Sequence, residues 1–159
     1  MIFERIADDN SSYLNDIVNL YMDLLVSQAS DGGETLTVEA DAIKHNIQMQ
    51  VKLKNYFLII ARKDDQVIGF AEAFFLMESL NFIAGNHIYV GNFNLSDEYR
   101  KHFAVSIIPK FRRMLEDWGK EMGAKYMIAD IFDHNKSMLT IAKLYKYRAY
   151  THRVVKEIT

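Results

Sequence analysis

An α/β sandwich, one mixed sheet with helices packed on it, is the fold class this sequence predicts, and three observations predict it. Short runs rich in β-formers are interleaved with stretches whose apolar residues recur every three or four positions. The resulting order is β-α-α-β-β-β-α-β-α-β, with no repeat, linker or low-complexity segment in between. The clearest helical stretch, within residues 95–122, carries Ala104, Ile107, Ile108, Phe111, Leu115, Trp118 and Met122 on one face. It is bracketed by strand-like runs at 87–95 and 126–132.

Taken in order, residues 2–6 alternate apolar with polar and read as a first strand. Asp8, Asp9, Asn10, Ser11 and Ser12 make a turn rich in capping residues. Leu14, Ile17, Val18, Tyr21, Leu24 and Leu25 form the stripe of a first helix ending near Ala29, and 30–35 is the most loop-like stretch of the chain. A second helix starts around Val38 and places Ile43, Ile47 and Val51 on one face. Residues 56–61 (Tyr-Phe-Leu-Ile-Ile-Ala) are a buried-strand run, Asp64, Asp65 and Gln66 turn it back, and 67–77 returns as a long strand, which predicts an antiparallel hairpin. Residues 81–86 connect to the strand at 87–95. Gly123 and Ala124 end the central helix. Asp133, His134 and Asn135 suit the cap of a last helix through Met138, Ile141, Ala142 and Tyr145, and 150–158 reads as a final strand.

A chain of 159 residues is long enough for one substantial core, so a single domain is expected. Its formal net charge of −2 argues against broad electrostatic binding to nucleic acid. With no cysteine, disulfides, thiolate metal sites and cysteine nucleophiles are excluded. The five histidines lack helical metal-ligand spacing, so no metal site is expected. No apolar run approaches the ~18 residues a membrane span needs, and a cytoplasmic protein is the expectation.

The turn from the strand at 87–95 into the helix leaves backbone N–H groups and a positive dipole end beside the strand tip, a place suited to a phosphate or to nothing at all. Pro109, the one proline of the chain, removes a backbone donor within the helical period, at ~3 kcal/mol in an ordinary helix interior. Either the helix kinks there or it begins there.

Leu-Ser-Asp-Glu-Tyr-Arg-Lys from position 95, followed by the amphipathic helix, Gly-Ala and another strand, resembles the coenzyme A-binding core of the GNAT N-acetyltransferases. Val67-Ile68-Gly69-Phe70 resembles the way that family begins its third strand, and Leu144-Tyr145-Lys146-Tyr147-Arg148-Ala149-Tyr150 its late Leu-Tyr-x-x-x-Gly-Phe/Tyr motif. The resemblance spans essentially the whole chain. It implies a mixed, mostly antiparallel central sheet with helices on both faces, acetyl-CoA as cofactor, and transfer of an acetyl group to a primary amine on a small molecule or protein. A homodimer is compatible with it. The family's Arg-x-x-Gly-x-Gly/Ala turn falls on Arg100 with Phe103 and Val105 at the glycine positions, where a side chain opposes close approach of a pyrophosphate. Arg-Lys in place of Arg-Gly also resembles divergent GNAT-like proteins of bacteriophages.

Carried over residue by residue, the resemblance places Tyr145 as the phenol that protonates the leaving thiolate, against a packing role in the core. It places the backbone amides of Phe93, Asn94 and Leu95 on the thioester carbonyl and pantetheine arm. Arg100 and Lys101, with the amides of His102, Phe103, Ala104 and Val105, would meet the phosphates. The fourth strand, where many members carry a glutamate, has no carboxylate over 90–94. Glu72, His87, Asp130 and a water relay remain as sources of the base. Asp31, Gly32, Gly33 and Glu34 are candidates to border the amine. The competing reading is a catalytically degenerate GNAT-fold protein that serves as a binding or structural component. A nucleic-acid module would need a wider basic surface.

Overall fold

The computed structural model describes residues 1–33, 35–77, 85–102 and 104–149. Strand β1 (Ile2–Ile6) leads into helices α1 (Leu14–Gly32) and α2 (Ala40–Gln50). Strands β2 (Tyr56–Lys63), β3 (Gln66–Leu76) and β4 (His87–Leu95) follow, then α3 (Asp97–His102), α4 (Ala104–Glu121), β5 (Tyr126–Ala129) and α5 (Lys136–Leu144). The five strands form one sheet in the order β1-β2-β3-β4-β5. The first three pairings are antiparallel, and β4 pairs with β5 in parallel. Helices cover both faces, so the predicted architecture holds.

Each face has its own apolar layer. Ile107, Phe111, Leu115 and Trp118 of α4 pack on Phe57, Ile59, Ile68 and Ile88, which share one face of β2, β3 and β4. On the other face, Ile17, Val18 and Leu20 of α1 and Ile43 and Ile47 of α2 pack on Tyr56, Leu58, Ile60 and Phe70. The α4 stripe is the predicted one, with Ala104, Ile108 and Met122 partly buried at its margin.

Several predicted bounds move for local reasons. Helix α1 runs past Ala29 to Gly32 because Gly33, at φ 73°, supplies the left-handed cap and turns its N–H to the carbonyls of Ala29 and Ser30. Helix α2 begins at Ala40, behind an extended Glu39. Helices α3 and α4 cover the central helical stretch on either side of position 103, and Pro109 lies inside α4. Strand β5 stops at Ala129, short of the expected 132, since β4 offers no pairing beyond Val90. The last helix ends at Leu144, with Tyr145 as its C-cap, while Asn135 caps its start as expected by accepting the Met138 N–H at 3.1 Å. The strand expected over 150–158, and the candidates Glu34 and Phe103, lie outside the described residues.

Candidate active site

The site is built around an irregularity in the β3–β4 ladder. Ala71 faces Phe93 and Ala73 faces Val90, so Glu72 alone is opposite both Gly91 and Asn92. This is a β-bulge on β4, which bends the strand and ends regular pairing at that point. Pairing with β5 also stops there, at Val90 opposite Ala129, whereas β4 continues to Leu95. Over residues 91–95 the two parallel strands part. The Ser96 N–H is turned toward β3, bonding the Ile68 carbonyl at 2.9 Å. By strand alternation, the main-chain groups of Phe93 and Leu95 then face the opening.

Glu72 is 3% exposed, a carboxylate inside an apolar run of β3. Gly91 makes room for it, since a Cβ there would lie 3.0 Å from Glu72 Oε1 and 3.4 Å from the Phe74 ring. Burial of a carboxylate requires donors on both oxygens. Tyr56 Oη on β2 donates to Oε2 at 2.5 Å, and Tyr21 Oη on α1 donates to Oε1 at 3.3 Å. Asn92 Nδ2, on the bulge itself, donates to Oε1 and to Tyr21 Oη, both at 2.5 Å. Burial first, then the adjacent Glu72 charge, pushes both phenols well above their ordinary range, so they remain protonated donors. The Tyr21 ring is held by stacking on Phe70 at 5.4 Å.

The strand tip is similarly fixed. Asn94 is buried and donates to the Leu20 carbonyl of α1 at 2.8 Å, while its Oδ1 accepts the Leu95 N–H at 2.9 Å. Arg100 folds back on the same tip, donating to Asn94 Oδ1 at 3.0 Å and to the Leu95 carbonyl at 3.1 Å. Gly69 admits this close packing, for a Cβ there would be 2.9 Å from the Asn94 carbonyl oxygen. Phe93 turns its ring to the α4 face, edge-on to Phe111. Lys101 and His102 are exposed at the end of α3, Ala104 is half-buried, and Val105 projects outward at 90% exposure.

Tyr145 lies on the other face, with the Arg112 guanidinium 4.6 Å above its ring. Arg112 also pairs with Glu116 one turn on. Nearby, Tyr147 donates to the sulfur of Met127, and burial raises its phenol above the ordinary value. Glu72 and Tyr21 thus lie on the α1 side of the sheet, and Tyr145 lies against Arg112 of α4 on the other side.

An open groove of about 510 Å³ runs between the C-terminal half of α1 and the β4–α3 turn. Its charged lining is Asp23, Asp31 and Asp97, with Arg100 as the one cation among the residues that line it. Asp31, expected to border an amine, is thus part of a concave surface, and Gly32 and Gly33 follow it at the helix end.

Of the other candidate bases, His87 is buried at the opposite end of β4, five residues and ~16 Å of extended strand from Asn92. Its Nδ1 has no hydrogen-bond partner among the described residues. Asp130, just beyond β5, accepts from Tyr89 Oη at 3.1 Å. His134 stacks on Phe132 at 5.2 Å, beside the capping Asn135. Among the described residues no group of three or more histidine, cysteine or carboxylate side chains has metal-binding geometry. None of their helices is long and apolar enough to cross a membrane.

Tyr21, Tyr56 and Asn92 were not singled out by sequence. Tyr21 read as part of an apolar helical stripe and Tyr56 as part of a buried strand. A carboxylate between Ala71 and Ala73 was the available signal, because it obliges nearby elements to supply donors.

A family model described as "Acetyltransferase (GNAT) family" matches residues 14–147. A search of curated protein sequences returned no match. Among solved structures, a point mutant of the BH1408 protein from Bacillus halodurans superposes with TM-score 0.83 at 11% identity, covering 100% of both chains. The aminoglycoside N-acetyltransferase AAC(6')-Iy in complex with CoA gives 0.78 at 16% identity, covering 99% of this chain and 93% of that one. AAC(6')-Ih, an aminoglycoside 6'-N-acetyltransferase from Acinetobacter baumannii, gives 0.75 at 18% identity, with coverage of 99% and 97%. The family match spans most of the chain: this chain belongs to the GNAT acetyltransferase family.

Proposed function

We propose that the chain transfers an acetyl group from acetyl-CoA to a primary amine. The observation that carries this reading is the parting of β4 from β5 over residues 91–95, which leaves the outer edge of β4 free of β5 beside the buried Glu72 carboxylate. Acetyl-CoA would supply the activated acyl carbon as a thioester. The Phe93 edge of β4 suits its extended amide-bearing arm, because strand edges pair with extended chains. The backbone amides around 102–105 would meet its phosphates, as the motif position implies, and Val105 itself is 90% exposed. Lys101 adds a mobile cation there.

Within this reading Glu72 is the base that relieves the amine of a proton, and Tyr145 protonates the leaving sulfur from the opposite face. Burial at Glu72 keeps competing water away from the carboxylate. The acceptor's chemistry is narrowed by the groove beside α1, whose three carboxylates favour a cation. Relatives that act on aminoglycosides are consistent with an amine-bearing acceptor, a small molecule or a protein side chain.

A second reading, a GNAT-fold protein without cofactor, is favoured by one feature. The Leu95 N–H and carbonyl, both on the outward side of β4, are already taken by Asn94 and Arg100. Calorimetric titration with acetyl-CoA separates the two. A micromolar Kd, ~8 kcal/mol, together with a Tyr145→Phe variant that loses ~10²-fold in kcat at unchanged Tm, supports the transferase. No heat and no thermal shift at millimolar ligand supports the second reading.

A further inference from the structure

We infer that Tyr21 is the proton relay between the acceptor amine and Glu72, an assignment that rests on the transferase reading above. The carboxylate cannot meet an amine directly, because it is 3% exposed and both its oxygens are hydrogen-bonded within the fold. Its partners lead outward by two routes. Tyr56 is itself 1% exposed, so that route ends in the core. Tyr21 and Asn92 are both half-buried, and they form the route toward the opening. An amide does not carry protons at neutral pH, whereas a phenol has one proton to give and lone pairs to receive another. Tyr21 Oη already donates to Glu72 Oε1 and accepts from Asn92 Nδ2, which fixes the direction in which its proton moves.

The fold places this oxygen beside the reacting position. Asn92 adjoins Phe93, whose main chain faces the opening, and Tyr21 is held to Asn92 by that 2.5 Å bond. The next residues of α1, Met22 and Asp23, line the acidic groove. In this assignment the ammonium approaches from the groove side, where Met22 and Asp23 directly follow Tyr21 in α1.

The step balances in protons alone. One N–H bond of the ammonium breaks as an O–H bond forms on Tyr21 Oη. The original Tyr21 proton passes to Glu72 Oε1, leaving a neutral amine, a neutral phenol and a protonated carboxyl. The proton leaves to solvent by the same path after transfer, which matches the net release of one proton when an ammonium becomes an amide. Glu72 is hydrogen-bonded to two titratable groups, Tyr21 from α1 and Tyr56 from β2, while β4 contributes the uncharged Asn92.

Tyr21→Phe tests this, with Glu72→Gln beside it. Acetyl-CoA affinity is measured by calorimetry and fold integrity by thermal unfolding, and transfer is assayed from pH 7 to 10.5 on a panel of primary amines led by neamine. The relay requires unchanged acetyl-CoA affinity and a kcat/KM at pH 7 lowered ~10²-fold. It further requires that the deficit close as pH approaches the pKa of each amine, about 10 for a lysine-like alkylammonium, because the amine then arrives already deprotonated. A deficit that is constant across pH, or no deficit, overturns the relay and leaves the transferase standing. Failure of the unaltered chain to bind acetyl-CoA, or to acetylate any amine of the panel, removes both.

Discussion

The two faces of the sheet are built from the same strands but solve different problems. Against α4 the interior is entirely apolar, with Phe57, Ile59, Ile68 and Ile88 meeting Ile107, Phe111, Leu115 and Trp118. Against α1 and α2 an equally buried layer is interrupted by Glu72 and Asn94, with Tyr21, Tyr56 and Asn92 satisfying them. Burying a carboxylate without a paired cation is costly even when it is fully hydrogen-bonded. Glu72 and Asn94 sit at the bulge and strand tip, where β4 departs from β5, and His87 is a further buried polar residue at the far end of β4. The α4 face therefore supplies stability, and the α1 face spends part of that stability on shaping the opening.

The largest effect expected from breaking this contrast is on the apolar side. Trp118 is 4% exposed and stacks on Phe57 with ring centroids 4.9 Å apart. Trp118→Ala should cost ~3–5 kcal/mol, read as a drop in the denaturant midpoint. It should leave the acetyl-CoA Kd of the folded fraction unchanged, since the residue sits far along α4 from its N-terminal amides.

A smaller but pH-dependent effect is expected on the polar side. Tyr56→Phe deletes the donor to Glu72 Oε2 and leaves a buried charge short of a partner, costing ~1–3 kcal/mol at pH 7. The phenol's folded pKa is raised by burial and by Glu72, so its contribution is complete below the unfolded value of about 10. Above that pH the unfolded chain ionises while the native phenol does not, and stability falls as pH rises. Tyr56→Phe lacks this term. The stability gap between the two proteins should therefore narrow by ~1.4 kcal/mol per pH unit above 10, measured by urea unfolding at pH 7, 10 and 11. A gap that stays constant would mean that Tyr56 does not hold its proton through Glu72.

How much of this was legible in the sequence divides along the same line. The α4 stripe, the β2–β3 hairpin and the β4 bounds followed from periodicity, because apolar burial is a one-body property of each position. The β4 bulge did not, since Val90-Gly91-Asn92-Phe93 reads as an ordinary strand until its register against Glu72 is known. Tyr21 and Tyr56 were visible only as apolar surface, their hydroxyl partners lying 51 and 16 residues away in sequence. Arg100 was read as a phosphate ligand from its motif position, whereas its hydrogen bonds run to the tip of β4. Glu72 was singled out as one of several candidate bases, but its place at the centre of a closed hydrogen-bond network was not.

Arg100 gives the smallest expected effect and the sharpest discrimination. Its side chain is 46% exposed, so its pairing with Asp97 at 3.4 Å contributes little. The bonds to Asn94 Oδ1 and the Leu95 carbonyl hold the strand tip, but Asn94 Oδ1 keeps the Leu95 N–H when Arg100 is removed. Arg100→Ala should accordingly cost only ~0.5–1.5 kcal/mol in unfolding free energy. A guanidinium that also held a phosphate would forfeit a charge-assisted bond on truncation, ~1.5–3 kcal/mol of binding, which is at least a tenfold rise in acetyl-CoA Kd. A guanidinium spent wholly on the strand tip would leave Kd within a few-fold. Calorimetry on the single variant thus decides whether the tip of β4 is braced by a residue reserved for the protein or by one that releases the tip when cofactor arrives.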